Sequence, residues 1–143
     1  MSRIARRSCR RAAVLVAAAL AAGMLSSSAR IDPARLNESV TVVYIGADDC
    51  APCRAWRRDQ WPKFQMSEEF SRLTYREVTS PRLFDLMKDE YWPHDLRDQR
   101  DALGRTAGVP LWLVMANERV MLNARGLHQW EQVALPAIRS LVR

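Results

Sequence analysis

Residues 40–53 read VTVVYIGADDCAPC and decide the fold of this 143-residue chain. The first six residues are mainly β-branched or aromatic, which is typical of a central strand that is covered on both faces. The next four predict a turn. Cys50 and Cys53 then follow, two residues apart, and a helix is expected over residues 52–60. The sequence therefore places a cysteine pair between the end of a buried strand and the start of a helix.

The rest of the chain predicts the element order β-α-β-α-β-β-α. The later strands are expected at residues 73–78, 111–115 and 119–123. The second helix is expected to start at Ser80-Pro81, to be interrupted at Trp92-Pro93 and to resume over residues 95–103. The last helix is expected over residues 129–141. A helix joins the first two strands, so they should be parallel, whereas the last two should form an antiparallel hairpin.

The net charge of +6 arises mainly from residues 1–29, which hold five arginines and no acid. An apolar run at Ala12–Leu25 and small residues up to Ala29 complete the pattern of a signal peptide. We therefore expect residues 1–29 to be a signal peptide or N-terminal anchor and residues 30–143 to be the domain. Basic and acidic residues nearly balance in this domain, and no basic stripe is interleaved with aromatics, which excludes a nucleic-acid partner.

Export would carry the domain to the periplasm, and an uncleaved leader would tether it to the inner membrane. The apolar run is shorter than the roughly 20 residues that cross a bilayer, which favours cleavage. Of the three cysteines, Cys9 would leave with the leader. Cys50 and Cys53 close a loop too short to stabilise a fold appreciably, so a redox role explains the pair better.

The position of the pair at a helix start has chemical consequences. Free N–H groups and a partial positive charge at a helix N-terminus stabilise a thiolate at Cys50 and lower its pKa. Pro52 suits the first helical turn, where a missing N–H costs nothing. Cys50 would attack a disulfide to form a mixed disulfide, and Cys53 would resolve it.

Two separated features make the chain resemble the thioredoxin-like family. One is the strand, then Cys50-Ala51-Pro52-Cys53, then a helix. The other is Val109-Pro110 at the start of a strand, followed by a hairpin, Gly126 and a terminal helix. The resemblance covers residues 38–143. It implies an α/β protein with a minimal thioredoxin-like fold, in which helices flank a central mixed four-stranded sheet.

The resemblance also implies the roles of the site residues. Cys50 and Cys53 would be catalytic, with Ala51 and Pro52 completing the motif. In the family, the proline that matches Pro110 is cis and lies against the cysteine pair. The residue that matches Val109 offers backbone hydrogen bonds to the substrate.

Two positions depart from the family pattern. Asp49 stands where a tryptophan usually precedes the first cysteine. Tyr44 stands where many thioredoxins carry a buried acid that is assigned proton transfer for the resolving cysteine. These departures favour a specialised member with a particular client.

We therefore expect an exported thiol-disulfide oxidoreductase, without cofactor or metal, that exchanges disulfides with protein partners. The reducing direction is favoured, because the chain has no room for the inserted helical or dimerisation domains of the larger oxidants and isomerases. That role requires a client protein and a membrane electron donor. We expect a monomer.

Three alternatives remain open from the residues alone. The chain could be an oxidant that donates its disulfide to folding proteins, a Cu(I)-handling module that uses both thiolates, or an interaction domain with a vestigial pair. A zinc site is disfavoured, because only His94 and His128 could add nitrogen ligands and neither has suitable spacing.

The sequence pattern also predicts which of several other side chains are buried and which are solvated. At least two of Trp56, Trp61 and Trp92 are expected in the core. The arginines of the first helix (Arg54, Arg57 and Arg58) are expected to be solvated. Four methionines in apolar stretches are expected to fill the core: Met66, Met87, Met115 and Met121.

Overall fold

A computed structural model describes residues 39–104 and 108–143. The predicted signal segment and the lead-in before Ser39 lie outside the described residues. Within the two described ranges, no helix has both the length and the apolar character that crossing a membrane requires.

Four strands form one mixed sheet in the order β2-β1-β3-β4. They are β1 (Val40–Ala47), β2 (Thr74–Ser80), β3 (Leu111–Ala116) and β4 (Arg119–Arg125). β1 runs parallel to β2 and antiparallel to β3, and β3 pairs antiparallel with β4. The predicted mixed four-stranded sheet, with one parallel pair and one hairpin, is confirmed.

The helices flank this sheet and match most of the predicted positions. They are α1 (Ala51–Asp59), α2 (Trp61–Gln65), α3 (Arg97–Leu103), α4 (Gly126–Gln129) and α5 (Leu135–Leu141). The first helix ends before Pro62, as predicted. Its last residue is Asp59, and Pro62 lies in the first turn of the separate helix α2. The last helix starts three residues before the predicted position, and a π turn at Trp130–Ala134 joins α4 to α5. That turn closely precedes Pro136, which has no N–H for a regular helical bond.

The predicted helix start at Ser80-Pro81 is wrong. β2 continues through Ser80, which is buried, and its hydroxyl donates a hydrogen bond to the carbonyl of Arg82 at 2.7 Å. A hydroxyl used in this way does not cap a helix. Three short 3₁₀ turns follow instead, at Leu83–Asp85, Asp89–Tyr91 and His94–Leu96.

The hairpin between β3 and β4 turns at Asn117 and Glu118, which both have positive φ (49° and 65°). Positive φ at both central residues defines a type I′ turn, whose twist matches that of the flanking strands. The pairing shifts between Val114 and Met115, because their partners are Leu122 and Val120. This shift leaves Met121 without a paired residue in β3.

The methionine assignment is only partly confirmed. Met115 is buried, but Met66 and Met121 are 88% and 57% exposed. The pattern failed for Met121 because the bulge in β4 turns an apolar segment outward. Met66 lies just beyond the end of α2, outside the helical face that is packed.

Each face of the sheet has its own core. Val43 and Ile45 of β1 face a cluster that includes Leu86, Trp92 and Leu96. The opposite face, which carries Val42 and Tyr44, packs against α1 and the C-terminal helical segment. This second cluster holds both cysteines, so we call it the cysteine-side core. Trp56 and Trp92 are both buried, one in each cluster, as expected for at least two of the tryptophans.

Aromatic rings fill the cysteine-side core and link all of its elements. Tyr44 of β1 stacks on Trp56 of α1 with centroids 4.7 Å apart and an interplanar angle of 12°. Trp56 also packs against Trp112 of β3 at 5.3 Å and Trp130 of the π turn at 5.4 Å. Helix α1 is therefore held on the sheet mainly through one tryptophan, three residues after Cys53.

Gly46 makes the Tyr44 stack sterically feasible. The two residues share a face of β1, and a Cβ placed on Gly46 would overlap the Tyr44 hydroxyl and the adjoining ring carbon. A side chain at position 46 would therefore displace the ring that supports α1.

We expect Gly46→Ala to lower the free energy of unfolding by roughly 1–3 kcal/mol, because a methyl group would be forced into a filled core. Urea unfolding of the oxidised protein measures this change. Gly108→Ala is the matched control, since a Cβ there meets no atom of the described residues within 4 Å. Equal stabilities for the two variants would contradict the packing role of Gly46.

The buried phenols predict a loss of stability at alkaline pH. Burial raises the pKa of Tyr44 and that of Tyr75, and the Glu77 carboxylate raises the Tyr75 pKa further. Unfolded tyrosines titrate near 10, so above that pH the unfolded state loses protons that the native state keeps. Stability should be fully present below about pH 10 and fall by up to about 1.4 kcal/mol per pH unit for each phenol.

Urea unfolding between pH 8 and 11.5 tests this expectation. The Tyr44→Phe/Tyr75→Phe variant should show a shallower decline above pH 10 than the parent, while the lysines and other groups contribute equally to both proteins. Parallel declines for the two proteins would show that these phenols are not the cause.

Candidate active site at the cysteine pair

Cys50 is the N-cap residue of α1 and has extended backbone angles (φ −82°, ψ 112°). Its Sγ accepts a hydrogen bond from the backbone N–H of Cys53 at 3.2 Å. Pro52 lies in the first turn, as predicted, and removes one N–H that would otherwise need a partner. The sulfur therefore occupies the place where a capping oxygen usually lies, at the positive end of the helix.

Cys50 and Cys53 form a disulfide in this structure, with Cα atoms 5.2 Å apart. Cys53 is completely buried, whereas Cys50 keeps 6% of its surface exposed. Ala51 and Pro52 between them are exposed. A partner can therefore approach the pair from the side of Cys50, whereas Cys53 is shielded from solvent.

The fold brings Val109 and Pro110 beside the pair, although about sixty residues separate them in sequence. The Cys50 Sγ lies 3.9 Å from the carbonyl oxygen of Val109. The Val109–Pro110 peptide bond is cis, and Pro110 is buried. The Pro110 carbonyl accepts a hydrogen bond from Gly126 N–H at 2.8 Å, which ties this segment to the start of α4. All six residues that sequence analysis assigned to the site thus lie together: Cys50, Ala51, Pro52, Cys53, Val109 and Pro110.

Asp49 has a structural contact that the sequence did not reveal. Its carboxylate accepts a hydrogen bond from the backbone N–H of Leu83 at 2.7 Å. The neighbouring Asp48 N–H donates to the Ser80 carbonyl at 3.0 Å. The turn before Cys50 is therefore joined at two points to the last residue of β2 and the segment that follows it. No sequence pattern spans the 34 residues between Asp49 and Leu83, so only the fold discloses this contact.

The arginines of α1 differ in their relation to the site. Arg54 donates to the Asp48 carbonyl at 2.9 Å, next to the cysteine turn. Arg57 pairs with Glu77 at 3.0 Å and lies over the Tyr44 ring at 5.1 Å. Arg58 pairs with its neighbour Asp59 on the surface. Of the three, Arg54 contacts the turn at Cys50 directly.

Tyr44 occupies the position in β1 at which the family resemblance implies a buried acid. Its side chain is fully buried, and its hydroxyl has no hydrogen-bond partner within the described part of the chain. Burial raises the pKa of this phenol, so it stays neutral at physiological pH. This core therefore offers a neutral phenol at that position.

Residues 39–104 and 108–143 contain no cluster of three or more His, Cys, Asp or Glu side chains arranged to hold a metal ion. His94 lies in a 3₁₀ turn and His128 in α4, and both are exposed. The described residues thus bring no further ligand to the two cysteine sulfurs.

Comparisons with known proteins found similarity at the level of structure. No protein-family model and no curated protein matches the sequence. The periplasmic thioredoxin SoxS from Paracoccus pantotrophus, in its reduced form, superposes with a TM-score of 0.51 at 14% identity, over 73% of this chain and 96% of that chain. Thioredoxin f from spinach chloroplast superposes with a TM-score of 0.50 at 18% identity, over 76% and 80%.

These superpositions confirm the fold class that the sequence motifs predicted. The chain has a thioredoxin-like fold, with a CxxC disulfide at the start of α1 beside a cis-proline segment.

Proposed function

We propose that this chain is a thiol-disulfide oxidoreductase that exchanges disulfides with protein partners through Cys50 and Cys53. The observation that carries the proposal is the position of Cys50. Its sulfur caps α1, accepts the Cys53 N–H, and lies beside the carbonyl of Val109. In the reduced protein, the same N–H and the same helix terminus would stabilise the thiolate that attacks a disulfide.

The reaction follows from the difference in access to the two sulfurs. The Cys50 thiolate attacks one sulfur of a client disulfide, so that the client S–S bond breaks and a Cys50–client S–S bond forms. The departing client thiolate takes up a proton. Cys53 then loses its proton and attacks the Cys50 sulfur, which releases the second client thiolate and restores the Cys50–Cys53 disulfide. The client gains two electrons, and the protein dithiol supplies them.

Val109 and Pro110 are proposed to bind the client segment. The Val109 carbonyl lies 3.9 Å from the Cys50 sulfur, so a chain joined to Cys50 would pass close to this backbone. Backbone groups next to an attacking sulfur can align an extended peptide without selecting its side chains. Ala51 and Pro52, exposed between the cysteines, would border the same segment.

We place the protein in the periplasm and propose the reducing direction. The basic and apolar pattern of residues 1–29 supports export. A reductase in an oxidising compartment needs its dithiol renewed, and a membrane-bound dithiol donor would supply those electrons. The client would be one protein or a small group of proteins.

Single cysteine variants should separate the two sulfur roles. In a full chain that carries Cys9→Ser, so that only the pair remains, Cys53→Ser should accumulate a mixed disulfide between Cys50 and a client. Cys50→Ser should form no such adduct and should lose exchange with a test disulfide to below detection. Non-reducing electrophoresis with mass spectrometry identifies the adducts, and Cys9→Ser alone is the control. Adducts of equal yield through Cys53 would contradict the assignment.

The reduction potential of the pair tests the proposed direction. Equilibration of the same Cys9→Ser chain against dithiothreitol or glutathione should give a value near the roughly −270 mV that is typical of thioredoxin. A value near the −120 mV or so of a strong oxidant would reverse the direction and make folding proteins the clients. If no disulfide forms, thiol-disulfide exchange is excluded as the function, and Cu(I) titration of the reduced pair becomes the next experiment.

A further inference from the structure

Two adjacent apolar side chains beside the cysteine turn are exposed without an evident structural role. Phe84 is 92% exposed and Leu83 is 47% exposed. Single apolar residues on a surface are ordinary. Here, however, a phenylalanine is left almost entirely in water next to a second large apolar residue, and neither belongs to a core cluster of the described chain.

Hydrogen bonds hold the backbone of this pair against the active site. The Leu83 N–H donates to the Asp49 carboxylate, one residue before Cys50. Ser80 bonds to Asp48 through its carbonyl and to Arg82 through its hydroxyl. Residues 80–83 are therefore attached to the cysteine turn, and this attachment fixes the backbone of Leu83 and Phe84 near Cys50.

The cysteine motif contributes two more exposed apolar residues on the other side of the Asp49 contact. Ala51 and Pro52 are exposed between the two cysteines. Together with Leu83 and Phe84 they form what we call the apolar rim. A client segment that is joined to Cys50 and passes the Val109 carbonyl would also lie beside this rim, because the Leu83 N–H is bonded to the residue before Cys50.

Three described arginines whose backbone lies near the cysteine turn or the Pro110 segment have no carboxylate partner in the described ranges. Arg54 donates only to a backbone carbonyl, and Arg82 and Arg125 form no ion pair within the described ranges. Arg82 precedes Leu83, and Arg125 precedes the glycine that bonds to Pro110. Most arginines away from the site do pair with acids, for example Arg76 with Asp95 and Arg139 with Glu69.

Two carboxylates lie on the same side and reduce this positive charge. The Asp49 carboxylate is occupied by the Leu83 N–H, and Asp48 is exposed. The Asp49 carboxylate keeps its charge when it accepts an N–H, so the two aspartates offset two of the three arginines and leave one guanidinium in excess. The local balance favours a partner that carries negative charge beside an apolar group.

We propose that the apolar rim and Arg82 form a client-docking surface, which selects a protein segment with a large apolar side chain and a carboxylate next to its reactive cysteine. The inference rests on the proposed disulfide exchange and adds the substrate class. Burial of Phe84 against the client's apolar side chain would stabilise the encounter, and Arg82 would pair with the carboxylate.

Exchange rates with matched disulfides test the proposal. The substrates are two symmetrical peptide disulfides that differ only beside the cysteine, one with Phe and Glu and the other with Ser and Lys. Bis(2-hydroxyethyl) disulfide is the third substrate, since it has neither a large apolar side chain nor a charge that Phe84 and Arg82 could bind. The reduced full chain with Cys9→Ser is mixed with each substrate, and acid-quenched samples give the second-order rate constant.

The parent should react faster with the Phe/Glu peptide than with the Ser/Lys peptide. Leu83→Ser/Phe84→Ser should slow the Phe/Glu reaction about tenfold, which corresponds to about 1.4 kcal/mol, and leave the small disulfide unaffected. Arg82→Ser should lower the same rate and weaken its dependence on salt.

Matched controls lie at the other end of the sheet. Met66→Ser removes a side chain that is 88% exposed, close to the exposure of Phe84, between α2 and the start of β2. Arg119→Ser removes an arginine at the start of β4, which pairs with Ala116 far from the cysteine turn. Neither variant should change any of the three rates.

The outcomes are distinguishable. If Leu83→Ser/Phe84→Ser leaves the ratio of the two peptide rates unchanged, the docking surface is wrong while the exchange activity stands. A parent that prefers the Ser/Lys peptide overturns the proposed substrate class in the same way. If the parent fails to reduce even bis(2-hydroxyethyl) disulfide, the proposed function falls, and the docking surface with it.

Discussion

The stack of Tyr44 on Trp56 connects the sheet to the helix that begins at the cysteine pair. β1 ends at the turn before Cys50, and α1 starts immediately after it, so a displacement of α1 would move Cys50 relative to Val109. Gly46 leaves the space into which the Tyr44 ring extends. The geometry of the site thus depends on an aromatic contact and on the absence of one side chain in β1.

The aromatic core also encloses polar atoms. Within the described chain, the Tyr44 hydroxyl and the indole N–H groups of Trp56 and Trp112 are buried without hydrogen-bond partners. Each such group costs roughly 1–3 kcal/mol relative to a satisfied one. Burial of the large apolar surface of these rings offsets that cost. Tryptophans on α1, β3 and the C-terminal segment, namely Trp56, Trp112 and Trp130, supply most of this surface.

The sequence was most informative where one local pattern determines a structure. The buried strand β1, the helix after the cysteines and the hairpin at Asn117 each follow from neighbouring residues, and the structure contains all three. The segment after Ser80 was predicted wrongly, because Leu83, Leu86 and Met87 have helical spacing while the backbone is held by other bonds. Asp49 and the Ser80 hydroxyl provide those bonds. A contact across 34 residues has no signature in either segment alone.

The candidate site shows the same division between local and distant contacts. Cys50, Cys53 and the helix start were predictable from spacing, and Val109-Pro110 was placed through the family resemblance. The role of Asp49 could not be predicted, since its hydrogen-bond partner lies 34 residues away in the sequence. In the fold, the Asp49 carboxylate accepts a hydrogen bond from the Leu83 N–H and so holds the segment after β2 next to the cysteine turn.

Under the proposed function, this arrangement would separate sulfur chemistry from partner choice. The groups that contact the Cys50 sulfur, the Cys53 N–H and the Val109 carbonyl, belong to the backbone, so side-chain substitutions around the pair leave them in place. In the described ranges, no side chain of residues 82–84 is bonded to either sulfur. Such side chains can change the affinity for a partner without changing the redox pair. A loop that is bonded to the cysteine turn by Asp49, yet exposes its largest apolar side chain, is therefore suited to determining which protein reaches Cys50.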